Sequence, residues 1–302
     1  MKDFIKKQIK KIPYIKNLIT QLDLYRTDYY PGHYYSPIVS IEEIKKKEGE
    51  IFSIKDKNIP GIDLNEDEQI RLLHELAVNY DSITFKSEKQ DGLRYYYNNN
   101  LYSYSDAIFL NLVIRHFKPK SIIEIGSGYS SAVMLDTNDI YFDHSIKLTF
   151  IEPYPERLYS LFKPGDFENH TTIVSNLQDT SLDRYKELNE NDILFIDSTH
   201  VSKANSDVNK IFFEILPILK KGVLVHFHDI FYPFEYPKEW VLGWKGFGWN
   251  EDYVLRAFLM YNGQFKIRMF NTFLEHFHED WFKQNMPDCL KNTGGSIWLQ
   301  KC

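Results

Sequence analysis

The sequence predicts an α/β fold, a mostly parallel sheet with helices on both faces. Three observations lead there. From Ser121 onward, short apolar runs alternate with helical patterns. The runs (SIIEI, KLTFI, DILFI, GVLVHF) are five or six residues of mainly Ile, Leu, Val and Phe, as strands buried on both faces require. Each run also ends in polar or acidic residues, with Glu124, Glu152, Asp197 and Asp229 the clearest.

Length and composition set the frame. At 302 residues the chain holds one large domain, or one domain and an extension. With 43% hydrophobic and 26% charged residues it reads as an ordinary soluble globular protein. No apolar stretch is long enough to span a bilayer, and the start lacks the uninterrupted apolar core of a secretory signal. Two cysteines, Cys289 and Cys302, make no disulfide or metal framework, so a reducing cytoplasm is the expected location. A formal charge of −6 argues against a general nucleic-acid binder. Aromatic residues reach 16%, enough to supply both a core and the wall of a ligand pocket.

Taken in order, residues 1–25 place Phe4, Ile5, Ile9, Ile12, Ile15, Leu18, Ile19 and Leu22 at near-helical spacing between lysines, with a break or kink at Pro13. Such a helix touches a membrane surface or docks on its own chain or a partner subunit; docking is the expectation. Asp28 to Pro37 carries two prolines, a glycine and four tyrosines, an extended or turn segment that either covers a site or straps the surface. Lys45 to Glu50 is a charge cluster. A helix is predicted from Asp63 to about Tyr80, with acidic residues in its favourable first turn. Asp91 to Leu101 is polar and tyrosine-rich, and Ser105 to Phe117 is an amphipathic helix. Residues 1–85 therefore read as an amino-terminal helical and extended accessory region, and 86–302 as the catalytic or binding domain.

In that domain, strands are predicted over Ser121–Ile125, Lys147–Ile151, Thr171–Val174, Asp192–Ile196 and Gly222–Phe227, with helices from Ser130, over Pro155–Phe162 and over Ser206–Leu219. Lys220, Lys221 and Gly222 close the last of these. Ile230 to Trp249 is a long aromatic loop whose prolines and glycines argue against a regular element. A helix over Glu251–Tyr261, a strand over Phe265–Phe270, a helical segment over Glu275–Met286 and a strand over Ser296–Gln300 complete the chain, the last two strands pairing antiparallel.

Ligands of open α/β sheets sit beyond the carboxyl ends of the strands. The first such end carries Gly126-Ser127-Gly128, a tight turn that brings backbone close to a ligand. It is part of a dinucleotide fingerprint whose third glycine position is Ser131. Glu152 lies 24 residues beyond Gly128 at the end of the next strand, where a carboxylate accepts both hydroxyls of a ribose. The glycines lack the GK[ST] of a P-loop.

Together, EIGSG, the acidic FIEPYPERL, LQD, DILFIDSTH and GVLVHFHD resemble the class I S-adenosylmethionine-dependent methyltransferases over roughly residues 100–302. The resemblance implies a Rossmann-like, doubly wound sheet of seven strands, mostly parallel with an antiparallel carboxy-terminal strand. It also implies that Glu124, Gly126, Ser127 and Gly128 hold the methionine part of S-adenosyl-L-methionine, Glu152 the ribose, and Gln178 and Asp179 the adenine. A narrower similarity is to the metal-dependent O-methyltransferases, such as catechol and macrolide-sugar methyltransferases, in which acids after the fourth and fifth strands hold magnesium. Asp197 and Asp229 fit those places, with His228 as a third ligand. His200 and His228 supply imidazoles where acids or amides are usual. Three readings stay open: a divalent metal at Asp197, His228 and Asp229 (magnesium or manganese, or iron or zinc); a metal-free site with His200 or His228 as general base and Asp197 beside it; or histidines that only brace the structure.

The expected activity is O-methylation of a hydroxyl on a small molecule or saccharide, the aromatic loop and the 29–35 tyrosines forming the acceptor pocket. Alternatively that loop packs on a second copy in a homo-oligomer. Rival functions are a metal-dependent hydroxylase or hydrolase on the same fold, and a non-catalytic assembly subunit.

Overall fold

The computed structural model describes residues 9, 11–24, 29–243 and 248–302. Residues 1–8, 10 and 25 of the predicted 1–25 helix, residues 26–28, and the tip of the aromatic loop at 244–247 lie outside the described residues. The chain forms two compact units, Met1–Ile51 with Lys238–Gly248, and Phe52–Pro237 with Trp249–Cys302.

The first unit contains helices Pro13–Leu24, Ile41–Lys46, Glu48–Ile51 and Lys238–Gly243. The predicted break falls at Pro13: Ile9 is helical, Lys11 and Ile12 are not, and Pro13 starts the helix Pro13–Leu24, where the first position needs no N–H. Lys238–Gly243 corrects the expectation of an irregular loop: Pro237 marks a helix start, and the glycines fall at or beyond its end. Tyr29–Tyr35 is irregular, its rings clustered about His33, which stacks on Tyr29 at 4.7 Å and Tyr34 at 4.4 Å.

The second unit is built on a seven-stranded sheet in the order β3-β2-β1-β4-β5-β7-β6. The strands are β1 Ser121–Ile125, β2 Lys147–Ile151, β3 Thr171–Ile173, β4 Ile193–Ile196, β5 Leu224–His228, β6 Phe265–Phe270 and β7 Ser296–Lys301. Strands β1 to β5 are mutually parallel, and β7 runs antiparallel to both β5 and β6. This is the predicted Rossmann-like, doubly wound sheet. Strand order reverses between β1 and β4, the crevice that α/β sheets use for ligands.

The register of β5 sorts its side chains. Phe227 turns to one face, stacking 5.4 Å from Phe212 of the helical segment 207–218. His226 and His228 turn to the other, against Trp298 and Tyr102 respectively. Helices Tyr104–Phe117 and Tyr129–Phe142 pack together, and Phe109 meets Phe282 at 6.1 Å. Asp192 lies just outside β4 and accepts from the amides of Lys120 and Ser121 at 2.9 and 2.8 Å, joining β4 to the start of β1.

Two predicted helices are interrupted. The 206–219 segment passes through a π-helical turn at Ile211–Ile215, since Pro217 has no N–H for the carbonyl of Phe213. The 275–286 segment is two helices, Asn271–Phe277 and Glu279–Asn285, meeting at non-helical His278.

Candidate active site

The glycine turn joins β1 to the helix Tyr129–Phe142. Gly126 has φ +80°, and a Cβ there would lie 1.8 Å from the carbonyl oxygen of Asp197. The turn therefore abuts the end of β4, with the Asp197 amide donating to Ile125 O at 2.9 Å. Gly128 is extended at φ −171°, and its missing Cβ faces space whose nearest atom, on Arg157, is 3.8 Å away. The first glycine serves the fold and the second leaves room. Among the described residues the buried Oγ of Ser127 has no hydrogen-bond partner.

Ser131, in the place of a third glycine, has its own task. Its Oγ accepts from the Gly128 amide at 3.1 Å and donates to Glu124. Ser130 Oγ donates to the other oxygen of Glu124 at 2.6 Å. Glu124, expected to face the methionine moiety, is instead fully enclosed and braces the helix start. Burial raises its carboxyl to about 8, the two serine hydroxyls offsetting only part of that penalty.

Glu152 stands beside the turn. Its Oε2 accepts from the Ser127 amide at 3.0 Å and its Oε1 from the Tyr154 amide at 2.9 Å. Each oxygen keeps a lone pair for a hydroxyl. Gln178 and Asp179 sit on the turn Leu177–Asp179 after β3; Gln178 Nε2 donates to Asn205 O at 2.8 Å, and Asp179 is exposed.

At the ends of β4 and β5 the acids and histidines converge. His200 Nε2 lies 3.4 Å from both Asp197 Oδ1 and Asp229 Oδ2. One donor atom from each of Asp197, His200 and Asp229 falls within 4.8 Å of the others. His200 is buried, while Asp197 and Asp229 stay partly accessible. Both His200 and Asp229 have left-handed backbone, at φ +59° and +56°, a conformation that histidine and aspartate tolerate better than most residues. His228 lies beside this group, its Nε2 3.7 Å from Asp229 Oδ1 and its ring 5.2 Å from Tyr102.

The electrostatics follow from burial among opposite charges. Burial disfavours a charge on His200, but hydrogen bonds to Asp197 and Glu251 prevail and push its imidazole well above the ordinary range. His228 is likewise raised: burial opposes its charge, and Asp197, Asp229 and Asp106 outweigh it. Asp197 is held below the usual carboxylate range by His228 and His200 in spite of burial. Asp229 is pushed up to about 6 by burial, only partly relieved by the two histidines. His226 is neutral core: burial holds it well below the usual value, and it stacks on Phe195 at 4.0 Å with neither ring nitrogen hydrogen-bonded.

A family model described as a methyltransferase domain matches residues 123–230, from β1 through the strand-end residues of β5. A protein of Archaeoglobus fulgidus, itself uncharacterized, is 36% identical over 167 residues, covering 53% of this chain and 74% of the relative. The chain belongs to the class I S-adenosylmethionine-dependent methyltransferases. Among solved structures it is similar to an S-adenosylhomocysteine-bound methyltransferase of Podospora anserina (15% identity, 92% of this chain and 100% of that one, TM-score 0.43). An O-methyltransferase of Bacillus cereus is similar at 12% identity, over 87% of this chain and 100% of that one, with a TM-score of 0.43.

In this methyltransferase the residues named from sequence fall at three places. Gly126, Ser127, Gly128 and Glu152 come together at the turn, whereas Gln178 and Asp179 lie on the neighbouring β3 turn. Asp197 and Asp229 come together, and the histidine grouped with both is His200 rather than His228. Trp249, the last residue of the predicted aromatic loop, has its ring centroid 4.3 Å from that of His200. Sequence reading missed Glu251, whose Oε2 lies 2.8 Å from His200 Nδ1 and whose only local signal was its position at the start of a predicted helix. Among the described residues, no helix is long and apolar enough to cross a membrane.

Proposed function

We propose that this methyltransferase is an O-methyltransferase acting on a hydroxyl of a small molecule or saccharide, assisted by a divalent cation. The observation that carries the reading is the convergence of Asp197, His200 and Asp229 beside the glycine turn. The cofactor fits the turn, where Ser127 Oγ is buried without a partner and Gly128 leaves space. Ser127, Gly128 and Glu152 would hold S-adenosyl-L-methionine, and Gln178 and Asp179 would border its adenine. When bound, it supplies an activated methyl group on a sulfonium.

Two carboxylates and an imidazole within 4.8 Å are a donor set that one cation with bonds of about 2.1 Å can gather. A cation held by Asp197, His200 and Asp229 would lower the pKa of an acceptor hydroxyl. The chain's own part is to place that hydroxyl and take its proton. His228, whose Nε2 lies 3.7 Å from Asp229 Oδ1, is the group beside the site that would take it in its neutral form.

Calorimetry with S-adenosylhomocysteine, followed by methyl-transfer assays on hydroxylated acceptors with and without manganese or magnesium, tests the reading. No binding of the cofactor product at millimolar concentration would end it. The imidazole in the donor set also favours a second reading, a metal-dependent hydroxylase or hydrolase, which turnover requiring 2-oxoglutarate and iron, or hydrolysis without S-adenosylmethionine, would support.

A further inference from the structure

One short segment, residues 249–251, holds His200. The amides of Asn250 and Glu251 both donate to His200 O, at 3.0 and 3.1 Å. Asn250 Oδ1 accepts from the Ser202 amide at 2.6 Å, and Asn250 Nδ2 donates to Ser202 O at 3.3 Å. The Trp249 ring lies against the imidazole at an interplanar angle of 37°. Glu251, fully buried at the first position of the helix Glu251–Leu259, meets His200 Nδ1 at 2.8 Å.

An imidazole has two nitrogens, and a carboxylate on one of them decides what the other can do. With Glu251 accepting from Nδ1–H, the atom left facing Asp197 and Asp229 is Nε2. Its separation of 3.4 Å from each is longer than a good N–H···O bond and equal on the two sides. Carboxylate partners of this kind orient metal-binding histidines, and their loss costs about 10- to 100-fold in metal affinity. A nitrogen donor also changes which ion is preferred. Magnesium seeks oxygen ligands and keeps its waters, so an imidazole in the set disfavours it relative to a first-row transition ion, of which manganese(II) is the hardest and nearest in ligand preference.

We propose that Glu251 is a positioning residue that presents His200 Nε2 as the third donor of the cation site and so makes the site favour manganese(II) over magnesium. The inference rests on the metal reading of the preceding subsection.

The test uses the full chain after chelator treatment, with manganese(II) binding followed by electron paramagnetic resonance and calorimetry, and magnesium as competitor. The wild-type protein should bind manganese(II) with nitrogen coupling in its pulsed spectrum. Glu251→Ala should weaken manganese(II) binding about 10- to 100-fold, remove or diminish that coupling, and lower the manganese-to-magnesium preference about tenfold. Affinity for S-adenosylhomocysteine should stay within about twofold of wild type, since Glu251 touches His200 and none of the turn residues. If Glu251→Ala does not fold, Glu251→Gln carries the test: it keeps an acceptor for Nδ1–H, so nitrogen coupling should persist while manganese(II) affinity falls severalfold. A folded variant with wild-type affinity, coupling and preference overturns the role of Glu251. A wild-type chain that binds neither ion overturns the metal reading itself, and with it the inference.

Discussion

Replacing Gly126 by alanine separates the part of the glycine turn that builds the fold from the part that would meet a ligand. At φ +80° an alanine pays roughly 1–2 kcal/mol for left-handed backbone. Its Cβ would also lie 1.8 Å from Asp197 O, where real Cβ atoms do not come within 3.0 Å, so the ends of β1 and β4 must part by more than an ångström. Parting them strains the Asp197 amide bond to Ile125 O, worth about 1 kcal/mol, and overpacking of this kind costs about 1–3 kcal/mol more. A total of roughly 3–6 kcal/mol should lower the melting temperature by about 6–24 °C, at about 2–4 °C per kcal/mol for a domain of this size. Gly128→Ala is the control. Its backbone is extended and the nearest atom is 3.8 Å away, so stability should change by less than about 0.5 kcal/mol. Its affinity for S-adenosylhomocysteine should nevertheless fall, about tenfold, because the added methyl enters the space proposed for the cofactor. Circular dichroism melts and calorimetry on both variants decide the matter. A Gly126→Ala protein melting with the wild type would refute the close approach of β1 to β4.

Glu152→Ala should weaken S-adenosylhomocysteine binding by about 10- to 100-fold in calorimetry, the worth of hydrogen bonds to a charged group; unchanged affinity would remove Glu152 from the ribose site. Glu124 has its carboxyl raised from 4.5 to about 8 by burial, so between those values the folded chain holds a proton that the unfolded chain has released. Its contribution is therefore fully present below about pH 4.5 and declines as pH rises toward 8, by about 1.4 kcal/mol per unit. Urea midpoints across pH 5 to 8.5 should fall less steeply for Glu124→Gln than for wild type, and parallel curves would contradict the enclosure of Glu124. Arg94 is buried with Asp136, Asp139 and Asp166 at 2.7, 2.6 and 2.7 Å. Arg94→Met should cost roughly 3–5 kcal/mol in denaturant unfolding because it strands those carboxylates; a loss below about 1 kcal/mol would mean that they protonate without strain.

The sheet was legible because its signal is local. Strands buried on both faces must be apolar along their whole length, so β1, β2, β4 and β5 stand out as runs, and each run's end marks the ligand side. The enclosure of Glu124 was not legible. It depends on hydroxyls six and seven residues downstream, Ser130 and Ser131, which reach the carboxylate only once the turn has formed. Ser131 looked like a defect in a glycine pattern, and in the folded chain it caps the helix and fills the space beside Glu124.

The third donor shows the same limit at longer range. Side-chain alternation along β5 puts His228 on the face of His226, toward Tyr102, and Asp229 leaves the strand on left-handed backbone to meet Asp197. Adjacency in sequence made His228 the natural partner of Asp229, and its Nε2 does lie 3.7 Å from Asp229 Oδ1, but His200 is the histidine with a nitrogen 3.4 Å from both acids. His200 reaches both acids because its own backbone is left-handed and its ring is pinned by a segment 49 to 51 residues further on. Glu251 read as an ordinary acid at a helix start, a place the helix dipole favours without any ligand. Only the fold, by turning that helix start toward the end of β4, brings its carboxylate to His200 Nδ1, and leaves His200 Nε2 as the imidazole nitrogen 3.4 Å from both acids.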